Sequence, residues 1–485
     1  MRMRLAPLVG LACLATSTAA LAAPTAPLGH DGRWITDARG RAVILHGVNM
    51  VYKRPPYAPA AAGFGRDDAR LLARHGFNNV RLGVIYAGVE QQPGTYSAGY
   101  LRGIKQTQQL LARRGIFSLL DFHQDLYNER FSGEGFPDWA VIDDGQPADP
   151  LTGFPGTYLS SPGLNRSFDN LWANRPASDG VGLEDHYAAA WGAVADRFRN
   201  QPYVLGYDLF NEPWPGSDWP TCTNPSGCPA FEAQKLAPLQ GKAIAAIRAV
   251  DRKHLVWYEP VVFTQFGIEY NHPDTGDRRA GMSFHIYCVA GGVGQPCPQL
   301  EEQSMQNANE RADANGDTLL LSEFGATGDP DVIARMTALA DRYMTSWQWW
   351  HYCACDDPTT SGPGDVQAIV SDPSRPPKGD NVLRDKLALI ERPYPQAVAG
   401  TPLRYGFDPD SREFTLAYST TAPNGKRLAP DLETAVFTAP IQYPDGYRAK
   451  VTGGRVVSKR NARVLRIERG RGAARVELTI APAGA

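Results

Sequence analysis

Two glutamates occupy matching surroundings: Glu212 in the run VLGYDLFNEP (204–213) and Glu323 in the run TLLLSEFG (318–325), each where an apolar, β-rich stretch runs out. Most carboxylates are solvated surface groups, so either one alone is unremarkable. A pair facing each other across a small parallel barrel is the apparatus of glycoside hydrolysis. If the oxygens lie about 5 Å apart, one attacks the anomeric carbon while the other protonates the leaving oxygen, and configuration is retained. The acid must hold its proton near neutral pH, which burial and a neighbouring negative charge favour by raising its pKa. Glu259 in WYEP is the main rival carboxylate, whereas Asp121 and Asp208 lie deeper in their strands and read as structural.

Other polar groups fall within or at the ends of similar runs: Arg81 in NVRLGV, His123 and Asp125 in DFHQD, His285 and Tyr287 in SFHIY. A single histidine is more often a satisfied hydrogen-bonding group than a catalyst, but together these residues can hold a sugar and its nucleophile. His123 and Asp125 have the spacing of a metal-ligand pair without any further ligand motif, so neither metal nor other cofactor is expected. Trp347, Trp349 and Trp350 crowd the run TSWQWWHY. Aromatic faces pack well against sugars, and the expectation is one platform and two packing residues.

The elements that must position these groups are short β-rich runs at 42–50, 79–84, 116–123, 204–213, 254–260, 281–287, 318–325 and 345–352. Eight such runs are what a (β/α)₈ barrel requires, and near-continuous apolar strands suit a parallel sheet covered on both faces. Amphipathic helices are predicted over 67–76, 103–115, 184–200 and 231–252, with Gly76 and Gly115 where C-caps belong. An open doubly wound sheet is the competing architecture, disfavoured because no G-x-G-x-x-G follows the first strand. The segment after the third strand, about 126–180, is long and rich in Gly, Pro, Asp and aromatics, as expected of an elaborated active-site face. Past the Pro-rich junction at 391–402 come alternating runs separated by turn residues, which predict an antiparallel β-sandwich. The expected division is a signal peptide over 1–22, a barrel over 23–391 and a C-terminal β domain over 392–485.

The N-terminus has arginines, an apolar stretch and Ala20-Leu21-Ala22 in the order of a secretory signal, so the mature chain is expected outside the cytoplasm, extracellular or periplasmic. Cys13 leaves with that signal. The six remaining cysteines favour disulfides over zinc, with Cys222/Cys228 and Cys288/Cys297 as loop staples. Cys353 and Cys355 form a C-x-C whose pairing stays open. A composition of 43% apolar and 21% charged residues fits a globular protein, and a net charge of -2 gives no reason to expect nucleic acid or attraction to anionic membranes. A monomer is the default.

FNEP and SEFG, taken together in register, resemble glycoside hydrolase family 5, a retaining family built on a (β/α)₈ barrel. The stretches GVNMVYKRPPY (47–57), LLDFHQDLYN (119–128) and YDLFNEPWPG (207–216) resemble endoglycoceramidases and their relatives within it, which cut glycosphingolipids between glycan and ceramide and carry a C-terminal β domain. The resemblance implies Glu212 as acid/base and Glu323 as nucleophile. It also implies Lys53, His123, Asp125, Asn211 and Tyr287 as contacts to the first sugar, with Trp350 as its platform. Arg81 and His285 would support them, and no metal is needed. A ceramide calls for an apolar trough, which the loop at 288–297 and the insert after the third strand can supply, with transient contact to a membrane or micelle. Alternatives within the family are a glucosylceramidase, an endo-β-galactosylceramidase or an endoglucanase. An alternative of another class is a non-catalytic glycolipid-binding protein.

Overall fold

The structure is a computed structural model that describes residues 23–287, 296–360 and 364–484. A closed parallel barrel is formed by β1 (His46–Met50), β2 (Asn79–Ile85), β3 (Phe117–His123), β4 (Val204–Asp208), β5 (Leu255–Tyr258), β6 (Ala280–Ile286), β7 (Thr318–Gly325) and β8 (Ser346–Trp350). β8 pairs back onto β1 through Trp347 and His46, which completes the ring. β2, β3 and β6 are buried at every position, as strands covered on both faces must be. The expected eight runs are all present, but several strands stop short of the sequence runs. β4 ends at Asp208 and β5 at Tyr258, so Asn211, Glu212 and Glu259 sit on the loops just past their strands.

Helices Arg66–Arg74, Ala98–Ala112, Leu183–Phe198 and Ala237–Val250 lie where periodicity puts them. Ser97 caps the second by accepting from the Tyr100 amide. Gly76 and Gly115 fall one or two residues past the observed caps and have φ of 78° and 75°, the left-handed region that glycine adopts most easily.

The C-terminal region is two antiparallel sheets. One orders its strands as Thr401–Asp408, Glu413–Ser419, Arg475–Pro482 and Tyr447–Thr452. The other contains Tyr394–Val398, Glu433–Phe437, Val464–Arg469 and Gly454–Val456, extended by Gly29–Asp31, Trp34–Thr36 and Ala42–Val43 from the N-terminal end of the described chain. Reading residues from 23 onward as barrel therefore differs from the structure, since Val43 and Ala42 pair with Ala397 and Val398. Runs of two or three residues are too short to show a period. The same segment also closes the barrel floor. Leu28, Ile35, Val43 and Leu45 pack against Phe117, Leu119, Leu205, Leu255, Trp257 and Leu320 at the N-terminal ends of the strands.

The sandwich grips that floor. Tyr394 stacks on His46 with ring centroids 3.7 Å apart and donates to the Gly76 carbonyl at 2.6 Å. Arg392 pairs with Asp341 at 2.8 Å, both buried. The opposite face, at the C-terminal ends of the strands, is left to the βα loops. Among the described residues no helix is long and apolar enough to cross a membrane.

Candidate active site

Arg81, fully buried on β2, organises the upper barrel. Its guanidinium donates to Asp208 (2.8 Å), Asp121 (3.0 Å), Glu259 (2.8 Å), the amide oxygen of Asn211 (2.9 Å) and Glu323. A planar fork of donors suits this task, because it satisfies carboxylates arriving from several strands at once. Asp121 and Asp208 are thus the counter-charges beneath the site. Ser283 adds a 2.7 Å bond to Asp208.

Glu212 and Glu323 converge above Arg81. Their nearest oxygens, together with a ring nitrogen of His285, lie within 4.8 Å of one another. Glu323 accepts from Tyr287 Oη at 2.9 Å, and Glu212 Oε1 lies 2.8 Å from His285 Nδ1. Glu212 has φ of 45°, uncommon for a residue with a Cβ and frequent where a side chain must be aimed. The loop that holds it is stitched to the loop after β3. The Asn211 side chain donates to the Gln124 carbonyl at 3.0 Å, and the Gln124 amide donates to the carbonyls of Asn211 (3.0 Å) and Glu212 (3.2 Å).

The electrostatics follow from crowding charges in a dry place. Burial pushes the Glu323 carboxyl up, against the pull of positive charge at His285 and Arg81. Burial works against charging His285, but the carboxylates of Glu259 and Glu323 more than reverse this and hold its pKa well above the usual imidazole range. The cationic Arg81 and His285 thus favour the ionised form of Glu323, while burial and the neighbouring Glu212 oppose it.

A second cluster adjoins it. Lys53 donates to Asp125 (2.6 Å) and Thr359 (2.8 Å), lies 3.2 Å from Asp357, and sits over the Trp350 ring at 4.6 Å from its centroid. His123 stacks on Trp350 at 5.4 Å and bonds Asp121 at 2.9 Å. Asp125 is held below the ordinary carboxylate range, with burial opposed and overcome by Lys53 and His123. Of the three tryptophans, Trp347 and Trp349 pack against Phe324 in the barrel wall, and Trp350 alone joins the site cluster. Alternation along the strand makes that separation.

Among the described residues, two buried sets have the donor types of a cation site, His123/Asp125/Glu134 and Glu212/His285/Glu323. In the first the Lys53 ammonium already supplies the positive charge on Asp125, and in the second His285 Nδ1 is engaged by Glu212. Cys222 and Cys228 are disulfide-bonded in the loop after β4, and Cys353 bonds Cys355, the pairing that spacing left open. Cys288, the expected partner of Cys297, lies outside the described residues.

All the singled-out site residues, Lys53, Arg81, His123, Asp125, Asn211, Glu212, His285, Tyr287, Glu323 and Trp350, converge here. Sequence reading missed Asn49, Gln124, Asp357 and Thr359. Asn49 bridges β1 to the Ser322 carbonyl of β7 at 2.8 Å, and a polar residue inside GVNM was its only signal. Asp357 and Thr359 lie in CACDDPTT after β8, where the signal was a pair of acids in a loop otherwise notable for cysteine.

Residues 36–356 match the family model described as cellulase (glycosyl hydrolase family 5), and residues 392–480 match the glycoside hydrolase family 5 C-terminal domain. The chain is 33% identical to endoglycoceramidase I of Rhodococcus hoagii (strain 103S), covering 92% of this chain and 86% of that relative. Among solved structures it resembles endo-glycoceramidase II from Rhodococcus sp. as its lactosyl-enzyme intermediate, with a TM-score of 0.74 and 29% identity over 92% of this chain and 99% of that one. The ganglioside GM3 complex of the same enzyme aligns with a TM-score of 0.73 and 28% identity, over 93% and 99% of the two chains.

Proposed function

The chain belongs to glycoside hydrolase family 5, and from that premise we propose that it is a secreted retaining endoglycoceramidase, releasing an intact glycan and ceramide from glycosphingolipids. The observation that carries the chemistry is the approach of Glu212 and Glu323 to within 4.8 Å, a separation that fits direct attack and is too short for an intervening water. In the proposed first step the Glu323 carboxylate forms a bond to the anomeric carbon while the bond to the ceramide oxygen breaks. The electron pair goes to that oxygen, which takes the proton of Glu212. In the second step water attacks the same carbon and gives its proton to Glu212, and the bond to Glu323 breaks.

Arg81 and Tyr287 support the nucleophile role by fixing both oxygens of Glu323. Lys53, His123, Asp125 and Asn211 offer charged or polar contacts to sugar hydroxyls, and Trp350 offers an aromatic face. The choice of glycolipid over polysaccharide rests on likeness along both domains to endoglycoceramidases, one of which has been solved with ganglioside GM3. Export is supported by the N-terminal charge and apolar pattern and by the Cys222–Cys228 disulfide.

Incubation with a ganglioside, glucosylceramide and a soluble β-glucan tests the reading. Release of an intact oligosaccharide and ceramide from the ganglioside is expected. Turnover of the glucan alone would refute the lipid assignment, and turnover of glucosylceramide alone would point to a glucosylceramidase.

A further inference from the structure

Glu259, just past the end of β5, is a buried carboxylate that the proposed chemistry leaves without a part. It is 3% exposed on the first residue past β5, so it is not a solvated loop group. Its Oε2 accepts from the backbone amide of Glu212 at 2.8 Å. Its Oε1 accepts from Arg81 at 2.8 Å and lies 3.3 Å from His285 Nε2. The other nitrogen of the same imidazole is 2.8 Å from Glu212 Oε1. A ring of contacts therefore runs from the Glu212 backbone through Glu259 and His285 to the Glu212 carboxyl.

We propose that Glu259 is a positioning residue for the acid/base group, holding Glu212 at both its backbone and, through His285, its side chain. The inference rests on the reading of Glu212 as acid/base. Glu212 has a positive φ that a side chain rarely adopts, and the Glu259 carboxylate receives the amide of that very residue. Without it the turn loses the acceptor of a buried amide, and the ring that faces Glu212 loses the carboxylate beside its Nε2. Both Glu259 oxygens are engaged within the protein, Oε2 by the Glu212 amide and Oε1 by Arg81.

Glu259 also touches Arg81, which holds Glu323, so a competing route to any effect runs through the nucleophile. Leaving-group dependence separates the two. A dinitrophenolate departs without protonation, whereas an alkoxide needs the acid, so a fault confined to the acid is visible only with the alkoxide. The probes are octyl β-lactoside and 2,4-dinitrophenyl β-lactoside, read as kcat/KM, which reports events through the first bond cleavage. For Glu259→Gln we expect a loss of about 100-fold on the octyl glycoside and no more than about 3-fold on the dinitrophenyl glycoside. Glu259→Asp keeps the buried charge beside Arg81 but withdraws it by one methylene, and should show a smaller split of the same sense. Equal losses on both probes would overturn the proposal in favour of action through Arg81, and no loss on either would overturn it outright. Glu212→Gln is run beside them. If it shows no split, the acid/base reading itself fails, and that failure is distinct from a failure of Glu259.

Discussion

Burial alone would strip the charge from His123, but the charge of Asp121 and the polar contacts to Asp121 and Asp125 raise its pKa from 6.5 to about 10. In the unfolded chain the ring titrates near its ordinary value of about 6.5. Because the folded value is the higher one, its contribution to stability is complete below the unfolded value and is lost as pH rises through the folded value. The thermal midpoint should therefore fall between about pH 6.5 and 10, and His123→Asn should flatten that part of the profile. Identical slopes for the two proteins would show that the ring is neutral in the fold. The same reasoning explains why Asp125 stays ionised despite complete burial, since Lys53 and His123 confront it from either side.

Gly76 closes the turn between the helix Arg66–Arg74 and β2, with φ of 78°. A Cβ there would also lie 2.3 Å from the Phe437 ring of the sandwich. Gly76→Ala must therefore pay for a left-handed alanine and displace an aromatic ring at the domain junction. A loss of about 1–3 kcal/mol is expected in urea unfolding, and an unchanged midpoint would mean that the junction yields freely. How the elements were read depends on their length. The barrel strands are runs of several apolar residues with polar groups at one end, so Glu212 and Glu323 could be paired from sequence as soon as the strand count was right. The strands Gly29–Asp31, Trp34–Thr36 and Ala42–Val43 carry no period, and their membership of the C-terminal sheet is decided by partners some 350 residues away. Asp357 and Thr359 could not be assigned to the site for a related reason. Their role is set by where a loop folds back onto Lys53, and loop paths leave no pattern in the chain.

The molecule divides its two ends between support and chemistry. The sandwich and the N-terminal strands seal the barrel floor, which leaves the insert after β3 and the loops after β4 and β8 to frame the opposite face. Within that insert Leu151 and Leu159 are 39% and 56% exposed, while the intervening Tyr158 reaches back to the Leu126 amide at 2.8 Å. The central claim joins bond position to stereochemistry, so one experiment reads both. Proton NMR of the glycan freshly released from ganglioside GM3, taken before mutarotation, should show the β-anomer first, with ceramide as the co-product. Initial appearance of the α-anomer, or cleavage within the glycan, would contradict the account.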